Sequence, residues 1–440
     1  MSKLRGLQHG RDGYQADAMI APNNPCLDYL PRWEGYKATI ERMTIAPDRR
    51  PDGLMPTDAF ANFPTQGQAQ LARALSQAIG QSALERNPAD FGYQQLLLRA
   101  SMHLADTADV HGHSVPTLPI SVRTAGPRGM FVSIPCAMGQ HSFVTALENL
   151  VGTGSVTFDV DTPVGQPIRV NKLKSLTVEF PANGSPRRFI KTMLKKLDSA
   201  VMTGFSDEVK GAFHRSPEDC ALSLAALGIQ QNLGALLVTG ITAKAMAQPG
   251  APLVLMELGQ FLVHTGIPVV CVGTPGVAMS LVELGASVSS LYSHGAYVIT
   301  PFNAEDPHWG LYSEYTWQNY FEDVYGAKEP VWFGQQMLEH CAGHTELLVK
   351  VGRYVRDFHQ KPSDAALTPE ALTCFANTAL VMESKPLALL HMVRNKVPFS
   401  RGTAMRFADW LPLEAAMKLI SLTDEPRYSP LLLPLIGEAS

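Results

Sequence analysis

The sequence has neither a long hydrophobic run nor closely paired cysteines. Its longest apolar stretches, 234–241 and 267–273, are far shorter than the ~20 residues of a membrane-spanning helix, and the N-terminus shows no apolar signal region. The six cysteines are dispersed without C-x-x-C spacing, which argues against a disulfide framework or a zinc ribbon. We therefore expect a cytoplasmic protein with reduced thiols and no metal site.

The chain also lacks an overall basic charge. Its formal net charge is -4, so any nucleic-acid binding must come from a local patch of cations. What is present is ample apolar content, 45% of 440 residues, which is enough for a large core divided into two or three structural units.

Short apolar segments alternate with helical stretches in the middle of the chain. This pattern predicts a parallel sheet with helices on both faces, and five segments are predicted strands: 130–134, 175–180, 234–239, 268–273 and 296–300. Helices are predicted after Ser142, after Ser185 and over 252–265. The preceding residues favour helices, at 66–84 and 93–104, and aromatic residues at helical spacing from Trp309 to Tyr325 predict a packed core, with base stacking as the alternative.

The segment 133–142, SIPCAMGQHS, lies between the first predicted strand and a helix, where nucleotide-binding proteins carry their phosphate loop. A working loop, G-x-x-x-x-G-K-[ST], wraps phosphates with backbone N–H groups and reaches the outer ones with its lysine. Here Pro135 and Gln140 replace the two glycines, His141 replaces the lysine, and Ser142 is kept. We predict a degenerate nucleotide loop at Pro135, Gly139, Gln140, His141 and Ser142; the alternative is a plain strand-to-helix turn of another α/β fold.

Several segments in a fixed order carry a resemblance to a known family. They are 24–31 (NPCLDYLP), 85–88 (ERNP), 180–185 (FPANGS), 233–238 (LGALLV), 266–274 (GIPVVCVGT), His308-Trp309 and Trp317. With these segments the chain resembles the TnsC/TniB family, the AAA+ regulators that link target selection to the transposase in cut-and-paste transposons. The resemblance implies a P-loop NTPase (AAA+)-like five-stranded parallel sheet at 111–302, a helical N-terminal extension at 1–110, and a C-terminal helical lid and tail at 303–440.

The departures from the family concern its catalytic residues. Working members end the third strand in an Asp-Glu pair that holds magnesium and positions water, whereas Thr239 and Gly240 stand here. The family's arginine finger is also absent, because no lysine or arginine occurs between Lys244 and Lys328. Thr274 remains at the sensor position. The loop lysine, the acidic pair and the arginine finger are all missing, which predicts that the chain is not an ATPase.

No cofactor is expected under this interpretation. The open alternative is binding of ATP and Mg²⁺ without hydrolysis, through a cationic His141 and the N-terminus of the helix near Ser142. A second alternative is an unconventional NTPase, in which His141 replaces the lysine and Glu257 replaces the lost base.

A basic helix is predicted after Ser185. Its apolar residues share one face, and Arg187, Arg188, Lys191 and Lys195 lie on or beside the opposite face. In the family that the chain resembles, the corresponding helix lines a DNA-encircling channel, which implies sequence-independent phosphate contacts. Lys172 and Lys174 are candidates to extend this surface, and the alternative is a merely solvated charged face.

The resemblance implies a catalytically inactive AAA+-like regulator of DNA transposition. It would bind duplex DNA, oligomerise alone or together with an active paralogue, and contact a transposase and a target-selection protein. The remaining alternative is a protein-only adaptor that has lost DNA binding.

Overall fold

The computed structural model describes residues 24–31, 33–46, 61–108, 126–161, 165, 167–201, 217–326, 328–358 and 366–420. Its strands are β1 (Gly129–Ser133), β2 (Ser155–Val160), β3 (Ile168–Leu173), β4 (Ser175–Glu179), β5 (Ala235–Ile241), β6 (Val269–Gly273) and β7 (Ala296–Val298). Five of them form one sheet in the order β4-β5-β6-β1-β7, and every neighbouring pair is parallel. β1 and β6 are buried along their whole length, as expected for a parallel sheet covered on both faces.

This sheet is an α/β P-loop NTPase-like core, with the first strand at the interior of the sheet and a loop leading from it into a helix. All five predicted strands are confirmed, although the last one ends two residues early. The antiparallel hairpin of β2 and β3 was not predicted. Its signal was present, because Ser155–Val160 alternates between exposed and half-buried positions as a one-sided strand should.

Helices cover the sheet and form the rest of the described chain. They are α1 (Tyr36–Met43), α2 (Gln66–Glu85), α3 (Phe91–Ala108), α4 (Gln140–Val151), α5 (Pro186–Val201), α6 (Pro217–Gln230), α7 (Ala243–Met246), α8 (Ala251–Thr265), α9 (Val277–Leu284), α10 (Pro307–Thr316), α11 (Glu322–Tyr325), α12 (Phe333–Cys341), α13 (Thr345–Phe358), α14 (Pro369–Ala379), α15 (Ser384–Arg394), α16 (Arg401–Arg406) and α17 (Leu413–Ile420). A π-helical turn, Trp317–Phe321, joins α10 to α11. Within the described ranges, no helix has the length and apolarity of a membrane span.

Buried polar side chains attach α2 to the amino edge of the sheet. Arg86 donates to the carbonyl of Leu233 at 2.7 Å, and the Ser82 hydroxyl donates to the carbonyl of Gly266, also at 2.7 Å. Lys172 reaches the same edge, and burial lowers its pKa to about 7. Its side chain is only 2% exposed, so the expectation that Lys172 extends a DNA-binding surface is wrong.

The aromatic segment of the C-terminal region is core. Trp309, Tyr312, Trp317, Tyr320 and Phe321 are each less than 9% exposed and belong to one cluster with residues of α2, α4 and the sheet. The predicted divisions at 110/111 and 302/303 stay predictions, and the first lies outside the described residues.

Candidate functional site

The predicted nucleotide loop lies at the carboxyl edge of the sheet, directly after β1. The N–H of Ile134 donates to the carbonyl of Gly273 at 2.8 Å, which holds the start of the loop beside the end of β6. Ala137 and Gly139 have φ values of 60° and 75°, and α4 begins at Gln140. Ligands of open α/β sheets bind at this edge, so the loop has the position expected of a phosphate loop.

Backbone groups of the loop are bonded to the C-terminal region. The N–H of Gly139 donates to Oε1 of Glu346 at 3.0 Å, and the N–H of Glu346 donates to the carbonyl of Ala137 at 3.0 Å. The N–H of Cys136 donates to the backbone carbonyl of Asp409 at 2.8 Å. Two of the donors that would face a phosphate group therefore already have acceptors within the chain.

The sensor position is bonded to the same region. Oδ1 of Asp409 accepts the hydroxyl of Thr274 at 2.5 Å and the N–H of Ala243 at 3.0 Å. A Cβ atom on Gly276 would lie 2.5 Å from this oxygen, so only glycine there leaves room for it. We call the side chains of Glu346 and Asp409 the carboxylate pair. These two carboxylates lie where a nucleotide-binding protein needs unbonded hydrogen-bond donors to hold the phosphates.

The carboxylate pair makes the loop electrostatically unsuited to a polyphosphate. Burial raises the pKa of Glu346, while the Gly139 N–H, His141 and Arg353 oppose that rise. Burial, together with Asp409 and Glu346, raises the pKa of the Cys136 thiol to about 12. A phosphate placed here would meet two carboxylates at close range, and like charges repel strongly in a partly buried site.

Of the remaining loop residues, only His141 is exposed. Pro135 is buried, and the Gln140 amide donates back to the carbonyl of Val272 at 3.4 Å. His141 is exposed, whereas the Ser142 hydroxyl is buried and has no hydrogen-bond partner among the described residues. Ser142, the one residue kept from the motif, is thus turned into the protein.

At the degenerate positions on β5, Thr239 contributes a backbone hydrogen bond and Gly240 contributes an unusual backbone conformation. The carbonyl of Thr239 accepts the N–H of Phe180 at 2.7 Å. Gly240 has φ +74° and lies in an irregular stretch between Val238 and Ile241. Sequence reasoning missed Glu179, an exposed carboxylate at the end of β4 whose Cγ would lie 3.4 Å from a Cβ on Gly240.

Glu257, the candidate substitute base, is inside α8. Its side chain is 5% exposed, and neither carboxylate oxygen has a hydrogen-bond partner in the part of the chain that the structure describes. Burial raises the pKa of Glu257 to about 7. The Glu257 carboxylate therefore makes no hydrogen bond to a described residue of the nucleotide loop.

Replacing Glu257 by glutamine should stabilise the protein at alkaline pH. The folded-state pKa of Glu257, about 7, exceeds the ordinary value of 4.5, so the folded chain retains a proton that the unfolded chain releases, and stability falls as pH rises between these values. Glu257→Gln should raise the free energy of unfolding at pH 8 by roughly 1–3 kcal/mol and leave it nearly unchanged at pH 4.5. Urea unfolding between pH 4.5 and pH 8 measures this free energy. The control is Glu283→Gln, at an exposed site on α9, which should leave the pH dependence of stability unchanged. Equal stability curves for Glu257→Gln and the parent chain would contradict the expectation.

The basic helix is α5, and it is amphipathic as predicted. Phe189, Ile190, Met193, Leu194 and Leu197 are buried. The cations Arg187, Arg188, Lys191, Lys195 and Lys196 are all exposed, and none of them belongs to an ion pair with a described residue. We call these five side chains the α5 basic face. Lys244, on α7, is also exposed.

No group of three or more histidine, cysteine or acidic side chains able to hold a metal ion occurs among the described residues. The sequence matches no protein-family model and no curated protein. Among solved structures it is similar to a Walker-type ATPase of Pyrococcus abyssi, at 12% identity and a TM-score of 0.39, over 76% of this chain and 93% of that one. The fold assignment rests on the strand order and registers given above.

Proposed function

We propose that this protein is a catalytically inactive AAA+-like regulator of DNA transposition that binds duplex DNA and assembles on it without nucleotide. Two observations carry the proposal together: the α5 basic face forms no ion pair with a described residue, and the chain's own carboxylates bond the nucleotide loop at Gly139 and the sensor residue Thr274. The first feature offers a way to hold DNA, and the second removes control by ATP.

The absence of ATP turnover is supported at each catalytic position. His141 replaces the lysine, Thr239 and Gly240 replace the acidic pair, and no lysine or arginine occurs between Lys244 and Lys328. Loss of a transition-state cation alone costs on the order of 10³-fold in rate. Because Glu346 and Asp409 also use the loop and sensor donors, control of assembly passes from ATP to DNA and protein partners.

DNA binding through the α5 basic face would be independent of sequence. Lysine and arginine side chains on a helix contact phosphates, which carry no base identity. Each neutralised phosphate releases counterions, so affinity must fall steeply with salt. The buried apolar face of α5 fixes the orientation of the cations toward solvent.

The transposase and the target-selection protein, as partners, rest on the family resemblance, as does co-assembly with an active paralogue. Two alternatives keep specific predictions. A protein-only adaptor predicts partner binding that is unchanged when the α5 basic face is reversed. An unconventional NTPase predicts turnover that His141→Ala abolishes.

Electron microscopy of the purified protein on long duplex DNA without nucleotide tests the assembly step. We expect regular oligomers along the DNA, formed equally with and without ATP and Mg²⁺. Assemblies that form only with ATP would contradict the proposal, as would a protein that remains dispersed in both conditions.

A further inference from the structure

The hairpin of β2 and β3 leaves the outer edge of β2 without a strand partner. The N–H of Lys174 donates to the carbonyl of Gly154 at 3.1 Å, so Gly154 and every second residue after it direct their backbone groups toward β3. Ser155, Thr157 and Asp159 therefore direct their N–H and C=O groups away from β3. No backbone hydrogen bond joins these groups to another described residue. They form an open row of donors and acceptors.

The other edge of the hairpin shows the same alternation but is bonded to the chain. Leu173 lies opposite Ser155, and its backbone groups also point out of the hairpin. The N–H of Leu173 donates to the carbonyl of Gln231 at 2.9 Å, and its carbonyl accepts the N–H of Gly234 at 2.8 Å. The segment that leads into β5 thus pairs with the end of β3, whereas β2 has no equivalent neighbour among the described residues.

The β2 edge lacks the features that commonly keep strand edges from pairing. Such features are lysine, proline, a bulge or a covering element. β2 reads SVTFDV, its pairing with β3 is continuous over the whole strand, and Ser155, Thr157 and Asp159 are exposed. Valine, threonine and phenylalanine favour extended backbone. The one charge, on Asp159, lies 3.4 Å from Arg169 of β3. The edge is therefore suited to receive another strand.

The β2 strand is complementary to itself. In an antiparallel pair with β2 of a second copy, all three open residues are used when Thr157 lies opposite Thr157 of that copy. Ser155 then lies opposite Asp159, so no like charges meet. Val156 lies opposite Phe158, and pairs of a β-branched and an aromatic residue stabilise antiparallel sheets. This fit favours a second copy of the chain over an unrelated strand.

We propose that two copies of this chain dimerise by pairing their β2 strands. The product is a four-stranded antiparallel sheet, in the order β3-β2-β2-β3, with a two-fold axis at Thr157. Each copy uses the same edge, so the contact closes on itself as a dimer. The dimer forms without DNA. Its role as the unit that assembles on DNA rests on the proposed function.

Sedimentation velocity of the full chain without DNA, over a range of protein concentrations, tests the dimer. We expect a concentration-dependent dimer that Thr157→Pro weakens at least about tenfold, because proline removes an N–H group beside the axis from both copies. Proline is tolerated on an edge whose N–H faces solvent, so the hairpin should be retained. The control is Thr157→Val, which has nearly the same shape, keeps the N–H group and should dimerise like the parent chain.

Two results would overturn the proposal. One is a parent chain that stays monomeric at every concentration, which would leave the edge to a strand of another protein. The other is equal dimerisation of the proline and valine variants when both have the parental circular dichroism spectrum. Dimerisation by a chain that binds no DNA would support this inference and contradict the proposed function.

Cysteine cross-linking tests the register. Opposed Cα atoms of this antiparallel pair lie about 5.5 Å apart, within the range of a disulfide, so Thr157→Cys should form a covalent dimer under mild oxidation with diamide. The control is Arg169→Cys, an exposed site on β3 that both β2 strands separate from its copy. Both variants also carry Cys374→Ser, which removes an exposed thiol. Equal cross-linking at the two sites, or none at 157, would contradict the register.

Discussion

Reversing the charge at Arg187, Lys191 and Lys195 to glutamate is expected to abolish duplex DNA binding at moderate salt. Three phosphate contacts become repulsive, so the loss should be at least on the order of 100-fold in affinity, and the salt dependence should flatten by a slope of about 2.7. Because these side chains are exposed on the outer face of α5, the fold should be retained. Fluorescence anisotropy with a labelled duplex measures the effect.

A matched variant distinguishes the effect of the α5 basic face on DNA binding from the effect of overall net charge. Lys385, Lys396 and Arg406 are exposed cations of the C-terminal region and belong to no ion pair with a described residue. Their reversal to glutamate makes the same change in net charge, and it should weaken binding only slightly. If both triple variants lose the same affinity, overall charge and not α5 explains DNA binding.

Replacing Asp409 by alanine is the second large effect that we expect. The change removes the acceptor of the Ala243 N–H and leaves the Thr274 hydroxyl only the carbonyl of Ile241 at 3.4 Å, and an unsatisfied buried group costs about 1–3 kcal/mol. The segment around Asp409 should then move away from the loop more often, which exposes the half-buried Cys136 thiol further. We expect Cys136 alkylation, followed by peptide mapping, to become at least about tenfold faster.

Asparagine at the same position is the control for this prediction. Asp409→Asn keeps an oxygen that can accept both donors, so alkylation of Cys136 should stay close to that of the parent chain. Cys374 is exposed and serves as an internal standard for reagent and temperature. An alanine variant with the parental Cys136 rate would show that Asp409 does not hold this region closed.

The sheet could be predicted because its strands are short, mainly apolar runs, of which β1 and β6 are buried along their whole length. β1 reads GMFVS and β6 reads VVCVG, and α5 shows its amphipathic spacing directly. These are local signals, and a parallel sheet with helical connections follows from their order. The hairpin of β2 and β3 was missed because its weaker alternation was not used.

The carboxylate pair could not be predicted from the sequence. Asp409 meets Thr274 across 135 positions, and Glu346 meets Gly139 across 207. Nothing near either acidic residue indicates a long-range partner, since Asp409 lies in a short 3₁₀ segment and Glu346 in the first turn of α13, where acidic residues are common. The burial of Lys172 was missed because lysine is seldom buried, although its two-residue spacing from buried Val170 places both on the same face of β3.

The most direct test of the account is the affinity for a short duplex over a range of salt concentrations, measured with and without ATP and Mg²⁺. The α5 basic face predicts that log affinity falls linearly with log salt, with a slope of about -3 to -5. The bonds of the loop and the sensor position to the C-terminal region predict that the two lines coincide, because the N–H groups of Cys136 and Gly139 and the Thr274 hydroxyl already have acceptors within the chain. Binding that requires ATP, or no salt-dependent binding in either series, would contradict a nucleotide-independent DNA scaffold.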